Sequence, residues 1–160
     1  MTASDHRPVL IAYDASAEAQ TALREAVALF GDRPLVVMSV WEPGLATMTL
    51  VPPPGEAGYT YVPDPEDVAA VQRAQSGHAE QVAEAGARLA RELGATAEAL
   101  SVPDSADVAE TLVSVAEERD VRAIVVGSRG LGGFKARVLG STSRKLLHDT
   151  HRPVLVVRSP

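Results

Sequence analysis

The sequence predicts a doubly wound α/β sandwich, a five-stranded parallel sheet with helices on both faces. Three observations carry this. Short apolar runs alternate with amphipathic helical stretches along the 160 residues, the pattern that builds successive βαβ units. One run, Ala123-Ile124-Val125-Val126, is continuously apolar, which suits a central strand covered on both faces. The connections carry glycine, proline and small polar residues where helices and strands would stop.

Residues 8–13 (PVLIAY) form a first buried strand ending at Asp14. Ser16 is a natural N-cap for a helix over about 17–30, in which Ala19, Ala22, Leu23, Ala26, Val27 and Phe30 keep helical period and Gly31 marks the end. Residues 34–41 (PLVVMSVW) are the second strand. Residues 42–63 break the pattern with five prolines and three glycines. A connection that long inside a compact domain is either disordered or functional, and Tyr59 and Tyr61 are its candidates for a lid or dimer contact.

Asp64 as N-cap and Pro65 in the first helical position open a long helix reaching Leu93, where Gly94 stops it. Its stripe is Val68, Val71, Val82, Leu89 and Leu93, with small Ala79, Ala83 and Gly86 between. Residues 96–102 read as the third strand, with Ala97, Ala99 and Leu100 packing and Glu98 near an exposed face. Asp104 or Ser105 caps a helix to about Arg119 whose inward positions are Val108, Ala109, Leu112, Val115 and Ala116. The fourth strand covers 121–126, the last helix 140–149 with a serine/threonine-capped start, and the fifth strand 152–157. Residues 1–7 read as a flexible tail and 8–160 as a single domain.

Composition narrows the function. A chain with 46% hydrophobic and 22% charged residues can bury one core and is not disordered. No run approaches the roughly 18 apolar residues of a membrane span, and MTASDHRP lacks the apolar centre of a signal peptide. A cytoplasmic protein with no membrane partner is expected. With no cysteine, a disulfide framework, a thiolate zinc site and a cysteine nucleophile are excluded. No histidine stands in a convincing ligand pattern, so no metal site is assigned.

Charge is unevenly placed. The formal net charge is −6, yet between Gly127 and Thr150 five basic residues (Arg129, Lys135, Arg137, Arg144, Lys145) face one acid, Asp149. A local positive field on an acidic chain points to a small anion, because nucleic-acid binders spread their basic surface widely. No nucleic-acid partner is expected.

The same segment carries the chemistry for an anion. The fourth strand ends at Gly127, followed by Gly130, Gly132 and Gly133, and Gly140-Ser141-Thr142-Ser143 leads into the last helix. Glycines let backbone approach a phosphate, and the first unpaired N–H groups of a helix point at it. The spacing is neither GxxxxGK[ST] nor a GxGxxG directly after the first strand. Gly127-x2-Gly130-x9-Gly140-Ser141 instead resembles the G-2x-G-9x-G-[S/T] signature of the ATP-binding branch of the universal stress protein family, and the flanking VVGSRG and RPVLVV resemble that family too.

The resemblance implies strand order 3-2-1-4-5, which sets the ends of strands one and four, Asp14 and Gly127, at the switch point where such sheets bind ligands. It implies that Asp14 lies beside adenine and ribose, that the Val40 backbone meets the adenine edge, and that Gly127, Gly130, Gly140, Ser141, Thr142 and Ser143 serve phosphate and ribose. Arg129 and Arg137 are candidates for further phosphate partners, the alternative being solvated surface arginines. The chain reads Asp14-Ala15-Ser16 where the family commonly has Asp-Gly-Ser, so the first loop is expected to be stiffer. The implied ligand is ATP, with or without Mg2+, the alternatives being ADP, AMP or a cyclic nucleotide. A homodimer through 153–157 and an unidentified protein partner are implied as well.

The expected role is therefore a nucleotide-dependent regulatory module in stress response. A slow ATP hydrolase and a scaffold that binds no nucleotide are the alternatives. Asp14 is the only carboxylate tied to the site and no Walker-type lysine or histidine base accompanies it, so at most weak ATPase activity is expected.

Overall fold

The computed structural model describes residues 6–43, 63–128 and 140–158. These residues form five strands: β1 (Val9–Ala12), β2 (Leu35–Trp41), β3 (Ala97–Pro103), β4 (Ala123–Gly127) and β5 (Val154–Val157). Between them run α1 (Ala17–Phe30), α2 (Pro65–Glu92), α3 (Val108–Glu118) and α4 (Ser141–Asp149). All ladders are parallel and the sheet order is β3-β2-β1-β4-β5. No helix among the described residues is long and apolar enough to cross a membrane.

Strand periodicity divides the core in two. Val9, Ile11, Leu35, Val37, Ala123 and Val125 face α1 and α2, meeting Ala22, Leu23, Ala26, Ala87 and Ala90. The alternate residues Leu10, Val36, Met38, Ile124 and Val126 face α3 and α4, meeting Leu112, Val115, Ala116 and Leu146. The strands at the centre are apolar on both sides because each side has a helix layer to bury against.

Helix ends follow local chemistry. Ser16 Oγ accepts from the Ala19 amide at 3.1 Å and Asp64 Oδ1 from the Glu66 amide at 2.8 Å, so both N-caps are those the sequence names. Gly94, at φ 95°, closes α2, with its own amide on the Arg91 carbonyl and the Ala95 amide on the Ala90 carbonyl, the paired bonds of a Schellman motif. Gly31 ends α1 differently, at a right-handed φ of −63°. A Cβ there would sit 2.5 Å from the Val27 carbonyl oxygen, so close approach rather than backbone handedness calls for glycine.

Leu93, expected in the buried stripe of α2, is its C-cap and is 42% exposed, and three further expectations are corrected. The N-cap of α3 is Asp107, whose Oδ1 takes the Glu110 amide at 2.9 Å. Asp104 and Ser105 lie before it in a turn, Asp104 Oδ1 accepting from the Ala106 amide and the Thr111 hydroxyl. Ala99 is exposed, because β3 is a sheet edge covered only in part by α2. The start of α4 is capped by Gly140 with no side-chain bond, not by a serine or threonine.

Candidate functional site

Strands β1, β2 and β3 are laid out in one direction from β1, and β4 and β5 in the other. The switch point is thus the pair β1/β4, and the residues just past their carboxyl ends line it. Continuing the observed register past the β1–β4 pair Ile11–Val125 sets Tyr13 beside Gly127 and Asp14 beside Ser128. Continuing Ala12–Met38 sets Asp14 beside Val40.

Asp14 is half-buried. Its Oδ1 accepts the Ser16 amide at 3.0 Å, an Asx-type turn that carries the chain from strand into helix. Ala15, between them, sits at φ 61°, a left-handed conformation that costs an L-residue about 1–2 kcal/mol. Tyr13 holds the same junction from the other side, its amide donating to the Met38 carbonyl at 2.8 Å. Its hydroxyl is held above the ordinary tyrosine range by burial and then by the Asp14 charge.

At the end of β4, three bonds gather the chain. The Ser128 amide donates to the Val157 carbonyl at 2.7 Å, and the Gly140 amide to the Ser128 carbonyl at 2.9 Å. The Ser143 hydroxyl donates to the Gly127 carbonyl at 3.0 Å. Residues 128 and 140 are therefore joined directly, and the first turn of α4 starts against the end of β4. A helix leaves its first N–H groups without intrahelical partners. Gly140 brings no side chain to take them, and none of the described residues caps this helix with a side chain; N–H groups so placed suit an anion.

Asp14, Val40, Gly127, Gly140, Ser141, Thr142 and Ser143 all lie at the carboxyl end of the sheet around β1 and β4. Val40 is half-buried, its side chain packed into the α3 side of the core, which leaves its backbone to carry any role at the rim. Ser141 is exposed, Thr142 half-buried and Ser143 3% exposed. Arg129 and Gly130 lie outside the described residues, as do Lys135, Arg137, Tyr59 and Tyr61.

Lys145, counted in sequence as part of the positive field, has its charge matched locally. Its Nζ bonds the Asp107 carboxylate and lies 3.9 Å from Glu110 Oε2. That bond holds the Asp107 carboxyl below the usual carboxylate range. Ser128 is a participant that sequence reasoning missed; its signal is its place directly after the glycine that ends β4. A groove of about 360 Å³ lined by Phe30, Asp32, Arg33, Arg122 and Pro153 lies at the amino ends of the strands, away from this site.

A five-stranded parallel sheet in this order, with helices on both faces and β1 and β4 at its switch point, defines an α/β domain of the doubly wound class. The sequence model described as the universal stress protein family matches residues 6–158, and the chain belongs to that family. It is 30% identical to universal stress protein YxiE of Bacillus subtilis over 152 residues, spanning 94% of this chain and 97% of that one. Universal stress protein UspA from Lactobacillus plantarum has the same fold with TM-score 0.73 at 17% identity, over 98% of this chain and 100% of its own. The universal stress protein from Archaeoglobus fulgidus in complex with dAMP has TM-score 0.56 at 23% identity, over 94% and 96% of the two chains. Two further structural neighbours were solved with cAMP and, from Arabidopsis thaliana, with AMP bound.

Proposed function

We propose that this chain binds an adenine nucleotide at the β1/β4 switch point, ATP with or without Mg2+, and acts as a nucleotide-dependent regulatory module of the cytoplasmic stress response. The observation that carries the reading is the closure of residues 128 and 140 on each other beside Asp14, with an uncapped helix start above them. Asp14 stands where adenine and ribose would lie, with the Val40 backbone at the adenine edge. Gly127, Gly140, Ser141 and Thr142 would serve ribose and phosphate, together with Arg129 and Gly130. Ser143, buried and engaged with Gly127, would hold the frame. Nucleotides in three proteins of the same fold support the ligand class.

The reading includes a homodimer. β5 is a sheet edge, and Val154, Leu155 and Val156 on it are half-buried. An apolar edge strand invites pairing, and a second copy would cover it. Titration of the nucleotide-stripped chain with adenosine, AMP and ATP, with sedimentation of the same samples, tests both parts. Affinity that rises from adenosine to AMP to ATP and a dimeric mass support the proposal. Equal affinity for adenosine and ATP would remove the phosphate site, and a monomer at micromolar concentration would remove the dimer.

A further inference from the structure

We infer that the Lys145–Asp107 pair orients α4, which makes Lys145 a positioning residue for the phosphate site rather than a phosphate ligand. This rests on the nucleotide reading above. Helix α4 has nine residues, too few to hold a helix by itself in water. The direction of its N-terminal N–H groups is therefore set by its neighbours. Ser143 and the Gly140 amide pin the first turn to the end of β4, and Leu146 anchors the helix in the core, but none of these joins α4 to the start of α3.

Lys145 supplies that link, one turn beyond Ser141 and directed to α3. Its partner is itself fixed, because Asp107 uses Oδ1 to cap the Glu110 amide at 2.9 Å and Oδ2 to meet Lys145. One carboxylate thus joins the start of α3 to the body of α4. Glu110, at 3.9 Å, faces Lys145 from the same helix. With two carboxylates beside it, Lys145 adds little net charge to the start of α4, and meeting a phosphate falls to the backbone N–H groups and the other residues named above.

Asp107→Asn separates the possibilities, because asparagine keeps the N-cap acceptor and removes the charge that holds Lys145. Calorimetric Kd values for ATP, AMP and adenosine are compared with the parent, with thermal unfolding as the check of the fold. The expected result is ATP and AMP binding weakened about threefold, with adenosine binding unchanged and the unfolding temperature lowered by no more than about 1–2 °C. Lys145→Met should do the same, and the double variant should be no worse than either single. Tighter ATP binding in Asp107→Asn would overturn the inference, by showing that Lys145 binds phosphate once released. Unchanged ATP binding, or an equal loss for adenosine, would also overturn it. A parent that binds no nucleotide would overturn both this pairing and the site it serves.

Discussion

The Ser143 hydroxyl donates to the Gly127 carbonyl at 3.0 Å, joining residues 16 apart in sequence. It ties the end of a central strand to the first turn of a short helix, where Ser143 is only 3% exposed. Ser143→Ala would leave that carbonyl without its partner at a buried junction. A loss of about 1–2 kcal/mol in urea unfolding is expected, with weaker ATP binding because the helix start is no longer held. Unchanged stability and affinity would show that the bond is incidental.

Ala15 adopts φ 61° between Asp14 and Ser16. Glycine enters this region without a Cβ penalty but costs more chain entropy on folding. Ala15→Gly should still stabilise the chain, by about 0.5–1 kcal/mol, measured as a raised urea midpoint at constant slope. A lowered midpoint would mean that the strain is not there.

Two glycines of α2 should respond in opposite ways. A Cβ at Gly86 would lie 2.8 Å from the Tyr13 ring and from Val37 Cγ1, because the helix backbone rests directly on the sheet. Gly86→Val should cost about 2–3 kcal/mol through overpacking. Gly77 has nothing within 4 Å of that position, so Gly77→Ala should gain about 0.8 kcal/mol from helix propensity. The contrast is read in one series of thermal melts.

Tyr13 gives a pH dependence. Its folded pKa is raised above the ordinary 10.0, first by burial and then by Asp14. The proton is held more tightly in the folded chain, so stability is fully present below pH 10.0 and falls as pH climbs from there through the folded value. Tyr13→Phe should flatten the alkaline limb of a stability-against-pH curve. An unchanged limb would place the titration elsewhere.

Much of this was legible in the sequence for local reasons. The run 123–126 announced a strand buried on both faces, and Asp64-Pro65 and Gly94 announced the ends of α2 because capping depends on a few adjacent residues. Strand order came from the family signature; apolar runs alone do not say which strands are neighbours. The cap of α3 was not legible, because Asp104, Ser105 and Asp107 are all good cap residues. The choice was made by the Thr111 hydroxyl turning to Asp104 and by Lys145 reaching Asp107 from 38 positions away. At the site, spacing pointed to Gly127 and 140–143, and the family resemblance added Asp14. The inward turn of Ser143 and the pairing of Lys145 are tertiary facts without a local signal.

Gly140→Asp tests the phosphate site most directly. Gly140 is the N-cap of α4 at φ −58°, a conformation open to any residue, and aspartate is a favoured N-cap. The variant should fold at least as stably as the parent while placing a carboxylate where the phosphate would bind. Calorimetric titration with ATP and Mg2+ should show binding by the parent and none by the variant, with adenosine binding retained in both. ATP binding of equal strength in a folded Gly140→Asp chain would contradict a phosphate site at the start of α4.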